Sequence, residues 1–249
     1  MEKDIDKRFI EILGYKVFSG KKEECLTEIF NRNKVHIVSG NPEVLYRGLA
    51  DKKLFNNFTS KETIIIPDGV GTQIAAKMVK TPVEEKIAGI EVMKDIISKC
   101  EETGEAIYLL GASEECISGC VKNLRRDHPK LKIAGFRDGF FDINKPEEVI
   151  NDIREKKPKA LFVAMGCPRQ ENFIIDHMDE LPVDIFMGVG GSFDVIAEKV
   201  KRAPRWMINL GLEWAYRVAK EPWRIARLGS IPKFLAIVWK NRGLNHEKR

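Results

Sequence analysis

The sequence predicts an α/β fold, a Rossmann-like layered parallel sheet with a C-terminal helical appendage. Short apolar, β-rich runs alternate along the chain with segments of helical pattern. Most of these runs are apolar at every position, which is typical of parallel strands covered by helices on both faces. After the last run the composition changes to a basic, tryptophan-bearing stretch. Right-handed crossovers between the strands then give the layered arrangement.

The predicted elements follow in a regular order. Ile10–Ser19, with Gly14 inside it, predicts a β-hairpin ahead of the main sheet. The six main strands are expected at Val35–Ser39, Thr63–Pro67, Ala106–Leu110, Leu131–Gly135, Lys159–Met165 and Val183–Val189. Serine is a frequent N-cap and proline suits the first helical turn. Helices are therefore expected to begin near Pro42, Thr72, Ser113, Pro146 and Pro168.

The C-terminal part differs in character from the body. We place a boundary near residue 196, with a core over 1–196 and an appendage over 197–249. Two or three helices are expected in the appendage, over Arg205–Lys220 and Pro222–Trp239, with breaks at Pro222 and Pro232.

Charge is distributed unevenly between these two parts. From Lys199 onward the chain carries 13 Lys/Arg and three Glu, a net charge of +10. The total of +5 leaves −5 on residues 1–198. All four tryptophans, Trp206, Trp214, Trp223 and Trp239, lie in the basic part. This asymmetry indicates an anionic partner, and interleaved aromatics favour a membrane surface. Nucleic acid fits less well, because the body is acidic and contains no recognition module.

Several protein classes are disfavoured. Five cysteines without a C-x-x-C pair do not make a disulfide framework, and they fit a reducing cytoplasm. The N-terminus has no apolar region of the kind found in signal peptides. The longest apolar run of the appendage, Phe234–Trp239, is far below the roughly 20 residues of a membrane span. The four histidines are scattered, so we expect no metal site.

Glycine-bearing turns with polar groups follow each main strand. Ligands of open α/β sheets bind beyond the carboxyl ends of the strands, so these turns together predict a ligand site. Asp68, in the turn Pro67–Gly71, is the residue best placed to accept a proton from a hydroxyl. Capping of the following helix is an equally good interpretation of Asp68. Cys167 lies at a predicted helix N-terminus, which would lower the pKa of its thiol; without an identifiable base we treat it as a packing residue.

An NAD-binding fold is a weaker interpretation of the same turn. Gly69 and Gly71 supply a G-x-G, but Ile74 stands where the dinucleotide fingerprint has its third glycine.

Arginines form a second candidate group, in the appendage. Arg217, Arg224 and Arg227 share one face if a single helix continues through Pro222. Guanidinium groups suit bidentate contacts with phosphate.

The turns combine into a series of motifs. In chain order these are Ser39-x-Asn41-Pro42-Glu43, Pro67-Asp68-Gly69-Val70-Gly71, Gly166-x-Pro168-x-Gln170-Glu171, Val189-Gly190-Gly191-x-Phe193-Asp194, Arg202-Ala203-Pro204 and Gly211-Leu212-Glu213-Trp214-x-x-Arg217 through Glu221-Pro222-x-Arg224. The series resembles the WecG/TagA/CpsF glycosyltransferases from about residue 10 to about residue 240.

The resemblance implies an inverting, metal-independent transferase without a cofactor. It implies transfer of N-acetylmannosamine from a UDP-sugar to undecaprenyl-diphosphate-linked GlcNAc, on the cytoplasmic membrane face, as in the linkage unit of wall teichoic acid. Asp68 takes the place of the family's catalytic base. Substrate-binding positions map onto Ser39, Asn41, Lys86, Gln170, Asp194, Arg217, Arg224 and Arg227.

Some positions depart from the family pattern. Lys86 replaces an arginine and loses its bidentate fork, and Glu91 replaces an aspartate. Another UDP-sugar for a different surface polysaccharide therefore stays open as an alternative, as does a non-catalytic UDP-sugar-binding protein at the membrane. Coverage of part of the apolar surface by a second copy of the chain is a further expectation left open.

Overall fold

An eight-stranded sheet forms the centre of the molecule, in the order β1-β2-β4-β3-β8-β7-β5-β6. This computed structural model describes residues 8–220, 222 and 225–242. The strands are β1 (Phe9–Ile12), β2 (Tyr15–Phe18), β3 (Val35–Ser39), β4 (Thr63–Ile66), β5 (Ala106–Gly111), β6 (Lys132–Arg137), β7 (Ala160–Ala164) and β8 (Ile185–Gly188). Only β1 and β2 pair antiparallel; the other neighbours in the sheet pair parallel. The predicted fold class and hairpin are confirmed.

Helices cover both faces of the sheet. Those of the body are α1 (Lys22–Phe30), α2 (Pro42–Ala50), α3 (Lys52–Phe58), α4 (Val70–Met78), α5 (Gly89–Thr103), α6 (Glu114–Asp127), α7 (Glu147–Lys156), α8 (Arg169–His177) and α9 (Ser192–Ile196). One core cluster joins a sheet face to α1, α5 and α6. Two further clusters join the other face to α2, α3 and α4, and to α7 and α8. The result is three layers, with the apolar strands buried between them as predicted.

The local signals for helix starts agree with the structure in most places. Ser113 caps α6 through a hydrogen bond that its Oγ accepts from the Cys116 N–H, at 3.2 Å. Four helices of the body, α1, α3, α5 and α9, were absent from the prediction. The longest of them, α5, buries Ile90, Met93 and Ile97 at helical spacing.

The described residues of the appendage form four helices, where two or three were predicted. They are α10 (Arg205–Asn209), α11 (Glu213–Lys220), α12 (Ile225–Leu228) and α13 (Ser230–Asn241). A continuous helix over Arg205–Lys220 was wrong, because Gly211 adopts φ +72° and ends α10 in the left-handed conformation. A break at Pro232 was also wrong. Pro232 lies in the first turn of α13. Backbone N–H groups of the first turn have no acceptor within the helix, so the N–H that proline lacks costs no hydrogen bond.

The last helix packs into the body. On α13, Phe234 and Val238 are buried in the same cluster as α2 and α4. The last helix of the appendage therefore packs against α2 and α4, the helices that follow β3 and β4. Of the helices in the described ranges, none is long and apolar enough to cross a membrane.

Candidate active site

A cavity of about 330 Å³ lies at the carboxyl ends of β3, β4, β7 and β8. Turns after these strands form its floor, as expected for ligand sites of open α/β sheets. The appendage supplies the opposite wall, including Glu213, Trp214, Arg217 and Leu228. The body and the appendage therefore enclose one common site.

Asp68 lies in this cavity, directly after β4. Its carboxylate does not cap the helix that follows, since the N-cap of α4 is Gly69. Its Oδ2 instead accepts a hydrogen bond from the backbone N–H of Gly89, the first residue of α5, at 3.3 Å. The second interpretation of Asp68, a cap of its own helix, is thus not what the structure shows.

The surroundings of Asp68 favour its protonated form. The side chain keeps some solvent contact through the cavity but is otherwise enclosed by protein. This desolvation raises the pKa of Asp68 above its ordinary value, against the opposing effects of the Gly89 N–H, Lys86 and Arg217; Glu213 adds to the rise. A carboxylate with a raised pKa is a stronger base, which is what proton removal from a hydroxyl requires.

Ser39 and Asp68 converge on Gly89. A Cβ atom added to Gly89 would lie 2.6 Å from the Ser39 Oγ and 3.4 Å from the Asp68 Oδ2. The absence of a side chain at this position is what allows the two polar groups to approach the first turn of α5.

Two predicted binding residues are engaged in holding the turns. The Oδ1 of Asn41 accepts from the Glu43 and Val44 N–H groups, both at 3.1 Å, and so caps α2. The Oε1 of Gln170 accepts from the N–H groups of Gly166 at 3.2 Å and Gly190 at 3.1 Å, which joins the turns after β7 and β8. Both side chains line the cavity, and a direct contact with substrate stays a prediction.

Two cationic side chains accompany Asp68 in the cavity wall. Lys86 comes from the loop ahead of α5, and Arg217 comes from α11 in the appendage. The Nη2 of Arg217 donates to the Glu213 Oε1 one helical turn earlier, at 3.1 Å. The structure thus brings one of the three predicted arginines to the predicted base.

The other three predicted residues are Asp194, Arg224 and Arg227. Asp194, on α9, is not among the residues that line the cavity within the described ranges; its Oδ1 accepts from the Cys116 thiol at 3.3 Å. Arg224 lies outside the described residues, and only the backbone of Arg227, in α12, is described. The shared arginine face stays a prediction, because residues 221, 223 and 224, which join α11 to α12, lie outside the described residues.

Cys167 behaves differently from the prediction. Burial raises the pKa of its thiol, and the nearby carboxylates of Glu171 and Glu43 raise it further. The expected lowering was wrong because desolvation outweighs the helix N-terminus. As a packing residue, Cys167 lies against the cluster beneath α2 and α4.

Sequence reasoning gave no role to a set of charged residues beside the cavity. The Oε1 of Glu213 lies 3.5 Å from the Nε of Arg202. The Nη1 of Arg202 pairs with the Glu91 carboxylate on α5. The spacing of Glu213 and Arg217, one helical turn apart, was a visible signal for part of this set.

The site offers a base and two cations in a cavity that the appendage closes on one side. Within the described ranges, no group of three or more His, Cys, Asp or Glu side chains is arranged to hold a metal ion. The arrangement can remove a proton from a hydroxyl at Asp68 and stabilise an anion at Lys86 and Arg217.

Comparisons with known proteins agree with this chemistry. The model of the glycosyl transferase WecG/TagA/CpsF family matches residues 10–248. A protein of Bacillus subtilis (strain 168) is 37% identical over 200 residues, covering 80% of this chain and 77% of its own length. Proteins of Bacillus spizizenii and Staphylococcus aureus (strain MW2) are each 33% identical, over 86% and 82% of this chain and 83% and 79% of their own lengths. All three are named N-acetylglucosaminyldiphosphoundecaprenol N-acetyl-beta-D-mannosaminyltransferase.

Proposed function

This chain belongs to the WecG/TagA/CpsF glycosyltransferase family, and from that premise we propose that it transfers N-acetylmannosamine from UDP-N-acetylmannosamine to GlcNAc-diphosphoundecaprenol. The product is the lipid-linked disaccharide of the wall teichoic acid linkage unit. The observation that carries the proposal is the enclosure of Asp68, Lys86 and Arg217 in one cavity.

The proposed reaction is a direct displacement at the anomeric carbon of the donor sugar. Asp68 accepts the proton of the acceptor's 4-hydroxyl, whose oxygen forms the new bond to that carbon. The bond between the carbon and the diphosphate oxygen breaks, and its electron pair leaves with UDP. Lys86, from the body, and Arg217, from the appendage, both line the cavity, where they stabilise the charge that develops on the diphosphate. Arg224 and Arg227 are proposed to join them, and Ser39, Asn41, Gln170 and Asp194 to hold the donor.

A membrane-surface location follows from the nature of the acceptor and from the exposed appendage. Among the described residues of the appendage, the exposed large apolar side chains are Trp206, Leu210, Trp214, Ile225 and Trp239. Amphipathic aromatics next to basic residues favour the interface of an anionic bilayer. The enzyme lies on the inner face of the membrane, with the cavity open toward its lipid-linked acceptor.

A donor screen tests the reaction. The full chain is incubated with a short-chain polyprenyl-diphosphate-GlcNAc acceptor and with UDP-N-acetylmannosamine, UDP-GlcNAc or UDP-glucose, and UDP release is measured with and without EDTA. We expect acceptor-dependent UDP release with UDP-N-acetylmannosamine in both conditions. Turnover with a different donor alone supports the alternative polysaccharide, whereas UDP binding without turnover of any donor supports the non-catalytic alternative.

A further inference from the structure

A carboxylate occupies a cavity whose proposed ligand is a diphosphate. Glu213 lines this cavity, and its side chain is only 16% exposed. An anionic group beside an anionic ligand weakens binding through charge repulsion, more so where water is largely excluded. Glu213 is therefore expected to make a favourable contribution that outweighs this repulsion.

Glu213 lies between two arginines. Its Oε1 accepts from the Arg217 Nη2 at 3.1 Å and lies 3.5 Å from the Arg202 Nε. Arg202 in turn pairs with Glu91. Acidic and basic groups thus alternate along a row of four side chains, Glu91, Arg202, Glu213 and Arg217, which we call the charge row.

The two ends of the charge row belong to the two halves of the site. Arg217 lies on α11 of the appendage, and Glu91 lies on the first turn of α5. Gly89, two residues before Glu91, donates its N–H to Asp68. The charge row therefore connects Arg217 of the appendage to the first turn of α5, the same turn that holds the Asp68 carboxylate.

From this geometry we propose that Glu213 is a positioning residue, which holds Arg217 at the cavity and, through Arg202 and Glu91, fastens α11 to the body. A long arginine side chain has many rotamers, and a hydrogen bond to a fixed carboxylate selects one of them. Without Glu213, Arg202 and Arg217 would repel each other. The inference deepens the proposed glycosyl transfer and rests on it for its kinetic consequences.

Loss of the Glu213 charge has a signature in the pH profile. The groups that face Asp68 are the Gly89 N–H, Lys86, Arg217 and Glu213, and of these only Glu213 raises the pKa of Asp68, in addition to burial. In Glu213→Gln the pKa of Asp68 should fall, because the raising effect of Glu213 exceeds the lowering effect of Arg217 that is lost when Arg217 leaves the cavity. The acid limb of kcat/KM then moves to lower pH, which a simple loss of folded enzyme does not produce.

The experiment compares Glu213→Gln and Glu91→Gln with Glu198→Gln in the full chain. Glu198 also carries an ion pair, with Arg126 at 3.0 Å on the exposed surface, and serves as the matched control. We expect Glu213→Gln to lower kcat by about a hundredfold, the scale of a catalytic group displaced by about 1 Å, with the acid limb shifted to lower pH. Glu91→Gln should lower kcat less, and Glu198→Gln should match the wild type.

Amide hydrogen exchange gives a readout that does not depend on turnover. Exchange in α11 (Glu213–Lys220) should accelerate in Glu213→Gln and in Glu91→Gln, but not in Glu198→Gln. Unchanged exchange in α11 and an unshifted acid limb in Glu213→Gln would overturn the positioning role. A wild-type enzyme that releases no UDP from any donor contradicts the proposed function, while the exchange data still decide whether the charge row fastens the appendage.

Discussion

Asp68 illustrates how the position of a carboxyl group in the fold alters its pKa. A strand end places it at the edge of the sheet, and the first N–H of a helix other than its own holds one oxygen. Enclosure by the appendage then adds desolvation, together with the opposing charges of Glu213 and Arg217. The strand end was predictable from the sequence; the helix that holds the carboxylate was not, because α5 begins 21 residues further along the chain.

Replacement of Asp68 by Asn tests the proposed base. The amide has nearly the same shape but cannot accept the proton, so kcat should fall by about 10²–10⁴-fold, the usual contribution of general base catalysis. UDP binding, followed by calorimetry, and the melting temperature should stay close to those of the wild type. Near-wild-type turnover in Asp68→Asn would exclude Asp68 as the base.

The pH dependence of the wild type follows from the same pKa. The base acts as a carboxylate, so activity is lost as the pH falls through the pKa of Asp68. Because that pKa is raised, the acid limb of kcat/KM should lie above the ordinary aspartate value of about 3.9.

Gly89 provides a test of the close packing around the base. Gly89→Ala places a Cβ against the Ser39 Oγ and next to Asp68. The crowding should cost about 1–3 kcal/mol of stability, and kcat should fall because both polar groups are displaced. Gly119→Ala is the control: Gly119 lies within α6, and its Cβ would meet Ala197, just after α9, at 3.4 Å, an ordinary contact. Full activity in Gly89→Ala would show that the convergence of Ser39 and Asp68 is not needed.

Among the elements, the C-terminal end of α7 has a strained backbone conformation that a substitution can relieve. Lys157 follows this helix with φ +44° and ψ +56°, a left-handed conformation that favours glycine, and it is exposed. Lys157→Gly should stabilise the protein by up to about 1 kcal/mol, which corresponds to about 2–4 °C in the melting temperature.

Calorimetry of a neighbouring variant checks that interpretation. Lys156 is the last residue of α7 and pairs with Asp152 at 2.8 Å. Lys156→Gly should lower the melting temperature, since glycine is unfavourable in a helix and the ion pair is lost. If the two substitutions shift the melting temperature in the same direction, left-handed strain at Lys157 is not the cause.

The sequence predicts strands better than helices in this chain. Apolar runs located all six main strands. In five of them burial on both faces leaves a continuous signal, whereas β6, at the edge of the sheet, is mostly exposed or half-buried. Helix α5 was missed although its buried residues recur at helical spacing, so its pattern was available. Pro232 shows the opposite case: a proline signals a break only when its position in the turn is known, and that position depends on the packing of Phe234 below it.

At the scale of the whole molecule, sequence patterns do not predict how the cavity is closed. Asp68 and Arg217 are distant in the chain, and their approach depends on the turn at Gly211, which lies against Val70. The resemblance of the motifs suggested that arginines meet the base, and the spacing of Glu213 and Arg217 on α11 was visible in the sequence. The link from Glu213 to Arg202 emerged only from the packing of α11 against the body.

The exposed appendage makes a final prediction about the membrane. Trp206 and Trp239 are 60% and 55% exposed, and the surrounding stretch is strongly basic. Sedimentation with vesicles that contain anionic lipid should show binding by the wild type and weaker binding by a Trp206→Ala/Trp239→Ala variant, because two amphipathic anchors are lost. The control is Phe136→Ala, which removes a 42% exposed aromatic from the edge strand β6 of the body and should leave binding unchanged. Binding should also weaken with salt, since the screening length shortens from about 10 Å at 0.1 M to about 3 Å at 1 M. Equal binding to neutral and anionic vesicles, or equal loss in Phe136→Ala, would contradict an interface formed by the basic appendage.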